Sequence, residues 1–258
     1  MKPYRLVVLS DQHEGDVAGL TNPAEVKTEH KELARILFEW YIAKIGEIGP
    51  IDHMLHLGET CEGPGHKSTL ELYETDTLKQ AEGAAEKLLM WNCPVYSLCY
   101  ASKYHTSSDA KNERAVVTQL QLAGRNADIK VTQKLDIRGV KINGRHKIGG
   151  SSTGHGGASQ AAKTAPIDIV RAAIKGYAPA DWYFRGHIHE YWHVENAGFN
   201  VVVNPALKWP VGEYGINLDR PYYDMGFTML DIYDRDRVDF HRFELKVPLP
   251  EDVYVQYA

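Results

Sequence analysis

Short apolar runs alternate along the chain with polar, glycine-bearing segments, and this alternation predicts most of its elements. Tyr4 to Leu9 (YRLVVL) is apolar and β-branched and ends in Ser10-Asp11-Gln12-His13, which reads as a buried strand delivering a polar loop. From about Pro23 to Ile48 the apolar residues Leu33, Ile36, Leu37, Trp40 and Ala43 recur at three- and four-residue intervals until Gly49-Pro50. That spacing predicts an amphipathic helix with a sharp stop. Ile51 to Leu57 (IDHMLHL) predicts a second strand, released into the glycine-rich loop that starts Gly58-Glu59-Thr60-Cys61-Glu62. Thr77 to Trp91 reads as a helix, and Pro94 to Tyr100 (PVYSLCY) as a third strand opening into Ala101-Ser102-Lys103-Tyr104-His105.

The second half is less regular. Asn112 to Leu122 predicts a helix. Asp128 to Ile148 holds two strand-like stretches broken by Asn143-Gly144, a dipeptide that favours a hairpin and so an antiparallel pair. Gly149 to Gly157 is a glycine-rich loop, and Ala158 to about Lys175 a helix interrupted or kinked near Pro166. Asp181 to Phe184 leads into Arg185-Gly186-His187-Ile188-His189, and antiparallel strands are expected from there to about Leu245. With no fixed-period repeat and no low-complexity linker, residues 1–258 are expected to form a single domain.

Composition narrows the function classes. Apolar residues make up 43% and charged residues 24% of the 258, which fits a folded, enzyme-sized body. The net charge of −5 gives no global field that would draw the protein to nucleic acid or an anionic membrane. No run of about 18 apolar residues is present, as a membrane span would need. Cys61, Cys93 and Cys99 contain no C-x-x-C pair, so neither a disulfide framework nor a thiolate zinc site is favoured and a reducing, cytoplasmic setting is expected. The 12 histidines alter the picture, because several stand beside Gly, Asp or Glu where strands end.

Asp11-x-His13 and His187-x-His189 each place two ligand-type side chains two residues apart at a predicted strand end. Imidazole suits zinc, iron, copper or nickel, and a neighbouring carboxylate admits manganese. Two metals about 3.5–4 Å apart can share a bridging carboxylate, and Glu59 after Gly58 is the candidate. Taken singly, Asp-x-His is the commonplace surface loop, Gly-His-x-His is more specific, and Glu62 reads as a solvated loop acid. The force lies in their order and spacing together.

In that order the chain resembles the calcineurin-like metallophosphoesterases, whose motifs run D-x-H, G-D-x-x-[DE], G-N-H-[DE], a later His, and G-H-x-H. The matching positions are Asp11-Gln12-His13, Gly58-Glu59-Thr60-Cys61-Glu62 and Gly186-His187-Ile188-His189, so the resemblance spans residues 11 to 189. It implies an α/β fold, a four-layer α/β/β/α sandwich of two facing mixed sheets. It also implies two divalent metal ions (Mn, Zn, Fe or Ni). Asp11, His13 and His189 would hold one, His187 the other, and Glu59, where the family has Asp, would bridge them. Ala101-Ser102-Lys103-Tyr104-His105 stands where Gly-Asn-His is expected, so the Asn ligand is missing and Ser102 or a water takes its place. His105 is similar to the family's phosphate-contacting histidine, which protonates the leaving group. The remaining ligand to the second metal is either His146 or His155.

The resemblance therefore implies a hydrolase acting on a phosphomonoester or phosphodiester, its metals orienting phosphate and acidifying the attacking water. A phosphate ester is the expected partner, with nucleic acid unsupported by charge. The rival expectation is a binding or scaffold protein that keeps the fold without catalysis, motivated by the missing Asn and by Glu59. Trp209, Tyr214, Tyr222 and Tyr223 could stack on a substrate ring but more commonly such residues pack a core.

Overall fold

The computed structural model describes residues 1–26, 30–64, 72–106, 109–148, 156–196, 198–210 and 224–246. The element order is β1 (Tyr4–Leu9), α1 (Lys31–Ile48), β2 (His53–His56), α2 (Thr77–Leu89), β3 (Val95–Cys99), α3 (Lys111–Leu122), β4 (Asn126–Lys130), β5 (Gln133–Ile137), β6 (Val140–Arg145), α4 (Gly156–Lys175), β7 (Trp182–Arg185), β8 (Trp192–Asn196), β9 (Phe199–Val203), β10 (Gly226–Ile232) and β11 (Val238–Glu244).

Two mixed sheets form, in the orders β11-β10-β1-β2-β3-β4 and β5-β6-β7-β9-β8. In the first, β1 to β4 run parallel and β10 joins β1 antiparallel. Alternation along β1 shows why the strand is apolar on both sides. Val7 and Leu9 pack with Leu37, Tyr41, Leu88 and Leu120 of the three helices α1 to α3. Leu6 and Val8 face Ile142, Trp182, Phe184 and Val202 of the other sheet. Beyond that second sheet, Tyr183, Val201 and Val203 pack against Ala161 and Ala165 of α4. The result is four layers, α/β/β/α, with the site at one end where β1, β2, β3, β6 and β7 all release their loops.

Local sequence differs from expectation at four places. The helix anticipated from about Pro23 starts at Lys31, and its buried stripe is Ala34, Leu37, Tyr41 and Ile48, with Ala43 exposed. It ends at Gly49, whose positive φ of 72° glycine adopts without steric cost. The hairpin turn is not Asn143-Gly144, which lies inside β6, but Arg138-Gly139 between β5 and β6. Both turn residues have positive φ, 54° and 84°, which is what a two-residue hairpin of right-twisted strands needs. Gly144 is instead a packing residue, because a Cβ there would stand 2.8 Å from Leu55 Cδ2 across the sheet interface. α4 runs without a break through Pro166, and β9, expected in an antiparallel run, pairs parallel with β7 and antiparallel only with β8. Among the described residues no helix is long and apolar enough to cross a membrane.

Candidate metal centre

The loops after β1 and β2 continue the parallel pairing of their strands beyond the sheet. Asp11 N–H donates to Gly58 O (3.1 Å), His13 N–H to Glu59 O (3.0 Å) and Glu14 N–H to Thr60 O (3.0 Å). This zipper sets Asp11-x-His13 beside Glu59. From the second sheet, Gly186 N–H donates to His146 O (2.9 Å), and His187 N–H donates to Asp11 Oδ2 (3.0 Å). Gly186 is required for that approach, since a Cβ there would lie 2.1 Å from Ser10 Oγ and 2.8 Å from Asp11 Oδ2.

Three groups of ligand-type side chains result, and Glu59 belongs to two of them: Asp11, His13, Glu59 and His189, and Glu59, His146 and His187; the third is His13, Glu62 and His105. Within the first, His13 Nε2 lies 3.2 Å from His189 Nε2 and 3.3 Å from Glu59 Oε2, and His189 Nε2 lies 3.4 Å from Asp11 Oδ1. Within the second, His146 Nε2 is 2.9 Å from Glu59 Oε1 and 3.2 Å from His187 Nδ1. His105 stands above both, its Nε2 3.9 Å from Glu59 Oε1, while its Nδ1–H donates to Glu62 O at 2.9 Å. His155 lies outside the described residues, as do Tyr214, Tyr222 and Tyr223. Trp209 is a core residue, with Nε1–H donating to Leu33 O at 2.8 Å.

Backbone strain gathers here. Asp11, His13, Glu59, His187 and His189 all have φ between 52° and 82°, the left-handed region that costs a side-chain-bearing residue of order 1–3 kcal/mol. Among the described residues only three other non-glycine positions share it. Electrostatics points the same way. Burial opposes ionisation of Glu59, yet His146 and His105, with hydrogen bonds from His13 and His146, hold its carboxyl well below the usual range. Burial and Lys208 push His13 down, but Glu62 and Glu59 outweigh them and raise it to about 9. The cluster therefore draws positive charge. A metal fits this donor set: Asp11 Oδ1 is buried without a hydrogen-bond partner, and pairs of imidazole nitrogens face each other at distances where a single proton can serve only one.

Several contributing residues have roles that the sequence did not show. Glu62 is no solvated acid: its side chain is 14% exposed and its Oε2 accepts from His13 Nδ1–H at 2.6 Å. Ser102 donates to Glu59 Oε1 at 2.6 Å. Beneath the loops, Lys87 and Glu14 form a buried ion pair of 2.8 Å that also engages Tyr73. His56 accepts from Gly58 N–H at 3.1 Å and so steadies the turn before Glu59. Asn112 of α3 donates to His105 O at 2.9 Å. Lys208 also contributes, and its sequence signal is an isolated charge in the apolar run Val201 to Pro210.

No protein-family model matches the chain, and no curated protein does. Similar solved structures include an archaeal phosphodiesterase, 12% identical over 93% of this chain and 99% of that one, with a TM-score of 0.46. Another is Vps29 from Entamoeba histolytica complexed with zinc, 12% identical over 93% and 98%, with a TM-score of 0.43. A third is a predicted phosphoesterase from Streptococcus pneumoniae, 12% identical over 94% and 99%, with a TM-score of 0.40. None of them bears on activity at such identities. The motif order across residues 11 to 189 resembles that of the calcineurin-like metallophosphoesterases, with Glu59 in place of Asp and no Asn before His105.

Proposed function

We propose that this protein is a metal-dependent phosphoesterase whose centre takes two divalent cations. The observation that carries this reading is the convergence of five left-handed residues on two ligand groups that share Glu59. A fold needing only stability has no physical reason to hold that strain in one place. When bound, such cations polarise a phosphoryl oxygen and acidify a water.

The chain's own residues divide the remaining work. Asp11, His13 and His189 would hold one cation, His146 and His187 the other, with Glu59 between them. Ser102, through its hydrogen bond to Glu59 Oε1, orients the shared carboxylate in place of the missing Asn. His105 is the proton donor: Nδ1–H is committed to Glu62 O, so any proton it transfers sits on Nε2, the atom that faces the ligand groups. Phosphate esters, mono- or diesters, are the substrate class.

A second reading, a protein-binding scaffold that retains the fold, is favoured by an exposed apolar row on α4. Ile167, Val170 and Ile174 are 48%, 59% and 78% exposed and lie three and four residues apart, on one helical face. Metal content of protein purified without chelator, with hydrolysis of bis-p-nitrophenyl phosphate and p-nitrophenyl phosphate under added manganese, zinc or nickel, separates the two. Near two cations per chain, with turnover abolished in Asp11→Ala, is expected. Neither metal nor turnover would leave the scaffold.

A further inference from the structure

The segment Asn204 to Trp209 is laced to the loop that carries Asp11 and His13. Asn204 Nδ2–H donates to Val8 O (3.0 Å), Leu207 N–H to Asp11 O (3.0 Å) and Trp209 N–H to Ala18 O (2.8 Å), while Gly19 and Lys208 form a β-bridge. A Cβ at Gly19 would fall 2.2 Å from His13 O, so the loop folds back on itself tightly here. These contacts bring Lys208 to the edge of the centre. Its ammonium, on a side chain 16% exposed, lies 2.6 Å from Asp16 Oδ2 and 3.1 Å from Glu62 Oε2. The same Glu62 oxygen accepts from His13 Nδ1–H.

We propose that Lys208 is a positioning residue: it holds the Glu62 carboxylate against His13 Nδ1, which fixes the imidazole with Nε2 turned toward Asp11, Glu59 and His189. The inference rests on the metal reading above. A metal-binding imidazole needs its other nitrogen engaged, because that hydrogen bond selects the tautomer and the ring orientation. Glu62 supplies the acceptor, and its Oε2 has two cationic neighbours, His13 Nδ1 at 2.6 Å and Lys208 Nζ at 3.1 Å. Lys208 reaches it from a segment 146 positions further along the chain. Lysine suits the place, since a compact ammonium can sit between two carboxylates that belong to different loops, those after β1 and after β2. The ion pairs of Lys208 are with Asp16 and Glu62, outside the two groups that share Glu59, so its effect on them travels through Glu62.

The test is a stepwise zinc or manganese titration of chelator-stripped full-length protein. Lys208→Met is expected to weaken one of the two binding steps by about 10–100-fold and to leave the other unchanged. Glu62→Gln should weaken the same step, the double variant should be no worse than either, and Lys208→Arg should restore binding. Asp16→Asn, which leaves the Lys208–Glu62 contact in place, should bind both ions as wild type does. If Lys208→Met does not fold, Lys208→Gln, neutral but still a hydrogen-bond donor, is read in the same way. Equal weakening of both steps, or additive losses in the double variant, would mean a merely structural lysine and would overturn the proposal. Wild-type protein that takes up no metal would overturn the reading of the centre itself, whereas two intact steps in Lys208→Met would overturn only the role of Lys208.

Discussion

Replacing Glu59 by Asp asks whether the shared carboxylate spans both ligand groups. Glu59 reaches His146 Nε2 at 2.9 Å with one oxygen and His13 Nε2 at 3.3 Å with the other, and Ser102 holds it at 2.6 Å. Removing one methylene withdraws the carboxylate by about 1.5 Å, the length of a C–C bond. The flanking backbone cannot follow, because His13 N–H and Glu14 N–H are tied to Glu59 O and Thr60 O at 3.0 Å each, and the Gly58 backbone is packed against Ala101, a Cβ there standing 3.1 Å from its backbone. The shortened acid can serve one ligand group or the other. Asp adopts the left-handed φ of 57° at this position more readily than Glu, so the metal-free fold is expected to lose nothing. The expected outcome is a drop from near two cations per chain to near one, with turnover of bis-p-nitrophenyl phosphate reduced by about 10²-fold, as for a misplacement of about 1 Å. Metal analysis after gel filtration, paired with initial rates, reads both. Full metal content with undiminished turnover in Glu59→Asp would refute the reasoning.

Three further outcomes are expected. Lys87→Met should destabilise the protein by about 3–5 kcal/mol, because it leaves the fully buried Glu14 carboxyl without its counter-charge; thermal unfolding by circular dichroism would show it, and adding Glu14→Leu should recover much of the loss. Burial lowers the pKa of His105 below the ordinary imidazole value, and a proton donor is active only while protonated. Turnover of an ester with a poor leaving group should therefore fall as pH rises through a value under 6.5, and His105→Ala should flatten that limb without losing metal. Glu113 is fully buried, and burial raises its pKa from 4.5 to about 7. Its folded form favours the proton, so the protein is penalised as pH rises from 4.5 through about 7. In the metal-free protein, Glu113→Gln should gain about 3 kcal/mol at pH 8 and nothing at pH 4, seen as a pH-dependent rise in melting temperature.

Strands, helices and the paired ligands were legible in the chain because each rests on neighbours in sequence. The run YRLVVL is apolar on both faces whatever surrounds it, and Asp11-x-His13 and Gly186-His187-x-His189 follow strand ends that can be located from hydropathy alone. What remained open needed contacts between distant residues. His146 reaches Glu59 from the other sheet, across 87 positions, and only the parallel pairing of β6 with β7 puts it there. The turn at Arg138-Gly139 lost to Asn143-Gly144 in sequence because Gly144 carries the stronger turn signal, while its actual use is to let Leu55 of the facing sheet come close. Glu62 has the composition of a solvent-facing acid, and its burial against His13 and Lys208 depends on a partner 146 residues away. Short-range patterning thus decided the elements and the kinds of ligand, since hydrophobic periodicity and strand-end chemistry are local. The tertiary structure alone decided which acids and histidines meet, because long-range packing sets the distances and charges that turn separate side chains into one centre.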